Sequence, residues 1–138
     1  MYIIDTNVLS ELMKPVPDEN VVQCVSSKPI SSLFITAITE AEILYGIALL
    51  QTSRRKKLLT IAASEMFALD FNSRILPFDS EAAVAYAKIV SERTSSGQPI
   101  SAFDAQIAAV TLSRNATLVT RNTKDFVNCS VEVINPWE

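Results

Sequence analysis

The sequence predicts a parallel α/β fold, a twisted sheet with helices on both faces. Strand-like apolar runs alternate with helix-like segments along the whole chain. The first run, "MYIID", reads as a short buried strand. The 138 residues fit one domain (1–138), long enough to bury a core of its own. Apolar residues make up 49% and charged residues 20%, a globular and not a disordered balance.

The elements follow in order. Residues 1–5 read as strand. Residues 6–14 read as helix, with Val8, Leu9, Leu12 and Met13 apolar and Pro15 and Pro17 ending it. A second helix, 18–27, has Asp18 as its cap and Pro29 just past its end. A strand spans 32–36. The segment 37–51 is helical and apolar on nearly all sides, so burial is expected. An amphipathic helix over 53–71 carries the basic run Arg54–Lys57 in its first turns. A short strand and turn, 74–79, leads to a helix over 80–96, capped by Asp79 and stopped by Gly97. Residues 101–115 form another helix, 117–120 a strand, 122–126 a helical turn and 131–135 the last strand. No repeat, low-complexity tract or linker interrupts them.

Composition excludes much chemistry. With no histidine, Ser-His and Cys-His nucleophiles, imidazole acid–base work and His-ligated zinc are all absent. Two glycines cannot build a Gly-rich phosphate loop. Cys24 and Cys129 are far apart and in no metal-binding spacing, which points to reduced thiols and a cytoplasmic protein. Neither a signal peptide nor a membrane-length apolar run is visible. A net charge of −3 argues against a globally basic nucleic-acid binder, though not against a local basic rim with a bound cation.

In an open α/β sheet, ligands bind beyond the carboxyl ends of the strands. Asp5, Glu40, Glu42, Asp104, Asn122 and Asp125 all follow expected strands or open the next helix. Each also has a structural role open to it. "TEAE", "SAFD" and "NTKD" fit helix capping boxes, and Asp5 itself fits a helix cap. Gathered at one edge, such carboxylates repel one another, and a divalent cation relieves the conflict. Hard oxygen donors without histidine or thiolate suit Mg²⁺ or Mn²⁺ and phosphoryl chemistry.

Four segments, "MYIIDTNVLSEL", "ITAITEAEILYGI", "ISAFDAQIAA" and "TLVTRNTKDF", resemble in order the signatures of PIN-domain ribonucleases of the VapC toxin class. "RILPFD" and "VINPW" resemble its FitB-like branch. The resemblance implies a PIN-like three-layer fold, a twisted mostly parallel sheet between helices, usually in a homodimer. It implies an Mg²⁺- or Mn²⁺-dependent endoribonuclease acting as the toxin of a type II toxin–antitoxin pair. A VapB-like antitoxin would cover the active site, form a hetero-oligomer with the toxin and supply the contact with operator DNA. Asp5, Glu42 and Asp104 match the family's metal-binding acids, and the "E-[IL]-x-x-G" pattern selects Glu42 over Glu40, with Gly46 leaving room beside it. Asn122 stands where many relatives carry an acid; Asp125 either supplies that charge through water or caps the turn. Thr6, Asn7 and Thr120 match supporting polar positions, and Arg121 and Lys124 are phosphate candidates. The basic run 54–57 reads as a solvated face or as a contact for RNA or antitoxin, and Trp137 as a packing or dimer anchor. The rival reading is a catalytically silent PIN scaffold that only binds antitoxin or RNA. A haloacid-dehalogenase-like phosphatase needs an aspartate where Asn7 stands, and a response-regulator receiver needs a paired acid near the first strand that is also missing.

Overall fold

The computed structural model describes residues 1–138. Five strands, β1 (Tyr2–Ile4), β2 (Leu33–Thr36), β3 (Ile75–Leu76), β4 (Thr117–Val119) and β5 (Glu132–Ile134), form one sheet in the order β3-β2-β1-β4-β5. Every pairing is parallel, so the sheet is more uniform than the mostly parallel one expected. Parallel neighbours need long crossovers, and helices supply them. Helices α1 (Thr6–Leu12) and α2 (Glu19–Ser26) join β1 to β2. Helices α3 (Ala37–Ala48) and α4 (Arg54–Glu65) join β2 to β3, and α5 (Ser80–Ser95) and α6 (Ala102–Ser113) join β3 to β4. A 3₁₀ turn, Thr123–Phe126, links β4 to β5. The chain winds outward from β1 on one side and from β4 on the other. The crevice at the carboxyl ends of these two strands is therefore the switch point where α/β sheets bind ligands.

Successive strand residues face opposite sides, and the core divides accordingly. Ile3 and Leu118 pack with Ala82, Ile89 and Ile107 on one side. Ile4 and Val119 pack with Val8, Val21 and Phe67 on the other. The register pairs Ile3 with Leu118 and Ile4 with Val119. One residue further, Asp5 and Thr120 come together: the Asp5 N–H donates to the Val119 carbonyl at 2.9 Å, and the Thr120 N–H to the Ile134 carbonyl at 2.9 Å.

Helix α5 begins and ends where its sequence says. The Asp79 carboxylate accepts the Ala82 N–H at 2.9 Å and also meets Arg114 at 3.4 Å. Gly97, at φ 71°, takes the left-handed conformation that ends a helix without a Cβ clash. Removing the cap with Asp79→Ala is expected to cost about 1 kcal/mol in urea unfolding, with Asp79→Asn near the parent.

Three expectations need correction. Helix α3 is not buried all round. Only Thr39 and Ile43 are fully buried and Ile38 and Ile47 partly so, while Tyr45 and Leu49 are about two-thirds exposed. Its cap is Thr36, whose hydroxyl accepts the Thr39 N–H at 3.1 Å, so "TEAE" lies inside the helix and is no capping box. Helix α4 stops at Glu65, and the residues after it, Met66–Asp70, wind into a π turn that buries Phe67.

Candidate active site

Asp5 ends β1 and caps α1, and only 3% of it is exposed. Its Oδ1 accepts the Thr6 N–H at 2.8 Å. Its Oδ2 accepts the Thr120 hydroxyl at 2.7 Å and the Asn7 amide at 3.2 Å. The capping role and the position beside a cluster of acids are therefore both real. Burial pushes the Asp5 carboxyl from 3.8 up to about 6. Hydrogen bonds from Thr120 and the Thr6 N–H oppose that rise, and the charges of Asp104 and Glu42 add to it.

Asn7 and Thr120 tie the two central strands together at this edge. The Asn7 amide also reaches the Thr120 hydroxyl at 3.1 Å, and its Oδ1 accepts the Arg121 N–H at 3.1 Å. The Thr120 hydroxyl further accepts the Asn122 N–H at 3.1 Å. Asn122 meets the cluster through this backbone group; its side chain is exposed and makes no cap bond, so "NTKD" is not a capping box.

Glu42 arrives from α3. The Thr6 hydroxyl donates to its Oε1 at 2.8 Å and lies 3.0 Å from the Thr39 hydroxyl. Glu40, half a turn earlier, makes no such contact. Thr39 is wholly buried beneath this pair. A groove of about 840 Å³ opens beside Glu42, with Thr6, Gly46, Ile47, Arg55 and Leu58 along it. A Cβ on Gly46 would meet no atom within 4 Å, so the groove beside Glu42 is open whether or not that position is glycine, contrary to the reading that the missing side chain makes the room. Arg54 and Arg55 of the basic run also line it.

Asp104 opens α6, its N–H capped by the Ser101 hydroxyl at 3.2 Å as "SAFD" predicts. Burial holds its carboxyl above the usual range; the Ser101 bond opposes this, the Asp125 charge adds to it and Arg93 opposes it. Arg93 is the residue that no sequence motif marked. It is 6% exposed. Its guanidinium donates to the carbonyls of Gln98, Asp125 and Val127 at 2.6, 2.9 and 2.8 Å, and to the Cys129 sulfur at 3.4 Å. The available signal was its spacing: Ala82, Ala85, Ile89 and Arg93 form the buried stripe of α5. Lys124 is exposed and joins none of these contacts.

The cluster thus brings together Asp5, Thr6, Asn7, Glu42 and Thr120 by hydrogen bonds, with Asp104 near enough for its charge to act on Asp5. No three acidic side chains close into a ready-made cage for an ion.

The same fold runs through known proteins. The PIN domain matches residues 2–129. The chain belongs to the PIN-domain family. The PIN fold expected from the sequence is thereby established. Toxin FitB of Neisseria gonorrhoeae is 39% identical over 137 residues, 99% of each chain. VapC ribonuclease Y4jK of Sinorhizobium fredii is 33% identical over 138 residues, covering 100% of this chain and 99% of the relative. A crystal structure of FitAcB from Neisseria gonorrhoeae superposes with a TM-score of 0.94 at 38% identity, covering 100% of this chain and 99% of that one. The likeness to the FitB-like branch therefore spans the whole PIN fold of this chain.

Within this PIN domain, Thr6 is the one hydroxyl joining α1 to Glu42. Thr6→Val removes that bond without changing shape. We expect RNA cleavage to fall by roughly ten- to a hundredfold with KM little changed, measured on purified protein. Thr6→Ser should restore most of it.

Proposed function

We propose that this PIN domain is a divalent-metal-dependent endoribonuclease, the toxin of a type II toxin–antitoxin pair. The observation that carries the reading is Asp5: a buried carboxylate at the switch point, held by three donors and pushed up further by Asp104 and Glu42. The donor set is all hard oxygen. Mg²⁺ fits it without a closed cage, because that ion keeps most of its waters and takes only one or two carboxylates directly. Asp5 and Asp104 would hold it, with Glu42 reaching it directly or through water. When bound, Mg²⁺ or Mn²⁺ supplies an acidified water and neutralises charge on the phosphoryl group.

The chain's own residues do the remaining work. Thr120, Asn7 and the Thr6 N–H fix both Asp5 oxygens. The Thr6 hydroxyl occupies Glu42 Oε1, which leaves Oε2 to accept a proton from the attacking water. That water forms a P–O bond as the bond to the ribose 3′-oxygen breaks, leaving a 5′-phosphate and a 3′-hydroxyl. Asp125 adds negative charge beside Asp104, and Asn122 meets the cluster through its backbone N–H alone. The groove beside Glu42 offers an apolar seat, with Arg54 and Arg55 at its wall, for a segment of a VapB-like antitoxin. Operator DNA is contacted by that antitoxin, in keeping with a toxin charge of −3. No helix is long and apolar enough to cross a membrane.

The test is direct. Purified protein is incubated with total RNA plus Mn²⁺, plus Mg²⁺ or plus EDTA, and the new ends are mapped. Metal-dependent cuts bearing 5′-phosphates are expected. Cleavage that persists in EDTA would sink the mechanism, and no cleavage under any condition would favour the silent scaffold.

A further inference from the structure

Arg121 sits at the rim of the acidic cluster, one residue beyond the Thr120 that holds Asp5. Its backbone N–H is fixed to Asn7, and its guanidinium carbon lies 4.7 Å from the centre of the Trp137 ring. Neither of the chain's ion pairs uses it. Glu11 is close enough to feel its charge, yet that carboxylate is already engaged. One oxygen takes Lys14 at 2.8 Å and the other takes the Asp18 N–H at 3.0 Å.

Trp137 is itself anchored. Its N–H donates to Asn135 Oδ1 at 3.0 Å, its carbonyl accepts the Asn20 amide at 3.2 Å, and its ring packs against the Ile4–Val8 side of the core. Topology accounts for the meeting. Strands β4 and β5 are neighbours, so the residues after them emerge together at the edge that holds Asp5.

An indole at this distance holds the guanidinium by cation–π attraction without using any of its N–H donors. A free cation carried by the residue after Thr120, whose backbone is pinned to Asn7 in the cluster, offers a polyanion a first grip where the site itself is acidic. We propose that Arg121 and Trp137 form a phosphate subsite for single-stranded RNA next to the scissile bond. Arg121 is the contact residue and Trp137 positions it. The proposal rests on the ribonuclease reading above and adds to it where the chain is gripped.

The test uses full-length protein carrying Asp104→Asn to prevent cleavage, with a fluorescent mixed-sequence single-stranded RNA as the probe. Anisotropy is followed across a salt series. Adding Arg121→Ala should weaken binding about tenfold and flatten the log–log salt slope by about 0.7, the share of one phosphate contact on a single strand. Arg121→Lys should keep the slope but not the full affinity, because an ammonium lacks the planar fork. Trp137→Leu should weaken binding by roughly threefold with the slope kept, and Trp137→Phe should restore it in part. Arg121 is exposed, so its removal should leave thermal melting in place. An unchanged affinity and slope in Arg121→Ala, or no RNA binding at all, overturns the subsite. If the salt slope depends on Arg121 but the parent chain cleaves no RNA with any metal, the subsite stands and the ribonuclease reading fails.

Discussion

Asp5→Asn should abolish metal-dependent RNA cleavage, by more than about a hundredfold, and yet make the metal-free protein more stable at neutral pH. The second half follows from burial. Between 3.8 and about 6 the folded chain holds a proton on Asp5 that the unfolded chain has released, so stability falls as pH rises across that window and stays low above it. The shift corresponds to about 3 kcal/mol against the folded state at pH 7. Asparagine removes that cost but takes the acceptor from the Thr120 hydroxyl and the Asn7 amide, a loss of about 1 kcal/mol in all. The net gain of about 2 kcal/mol should raise the melting temperature in EDTA by about 6 °C at pH 7.5. At pH 4 the advantage should vanish. Burial raises Asp104 as well, so it adds a slope of the same sign for the parent. Adding Mg²⁺ should reverse the ranking, stabilising the parent and leaving Asp5→Asn nearly where it was. An Asp5→Asn chain that melts below the parent in EDTA would show that Asp5 is a structural cap first and a metal ligand second.

The largest loss of stability should come from Arg93→Met, on the order of 3 kcal/mol in urea unfolding. Three backbone carbonyls and a thiol lose their shared donor at once. The cost stays below the sum of those bonds because a buried guanidinium is expensive to desolvate and methionine is not. Arg93→Lys should recover less than half, since one ammonium cannot reach carbonyls on both sides of α5's end. The consequence for the site is separate. Arg93 holds the turn that carries Asp125 beside Asp104, so cleavage should fall about tenfold at temperatures where the variant is still folded. Full activity in a destabilised Arg93→Met chain would mean that Asp125 takes no part.

The first strand and its acid were legible in the sequence because an apolar run that stops at a carboxylate marks a strand leaving the core. Asp5 was readable for that reason, and Asp104 because Ser101 three residues earlier marks a helix start. Helix α3 was misread because an apolar composition says how much surface wants cover, not whether this chain supplies it. Thr36 was missed as its cap because Thr39 offers the same chemistry one turn later; only the strand's end decides between them. Arg93 was hidden inside "SERTSSGQ", where its polar neighbours mask a stripe that Ala82, Ala85 and Ile89 had already drawn. Which carboxylate oxygens are taken by Thr6 and Thr120 is a matter of rotamers and register, and no linear pattern encodes it.

The central pairing of β1 with β4 also sets a timetable. Asp5 leaves the ribosome early, but the strand that flanks it and the hydroxyl that fixes its Oδ2 lie 115 residues further on. At roughly 5–20 residues per second, translation needs about ten seconds to bring Thr120 out. Until then β1 has β2 on one side and an open edge on the other, and the acids of the cleft have no common frame. The frame that holds Asp5 is therefore completed late and all at once, when β4 joins β1.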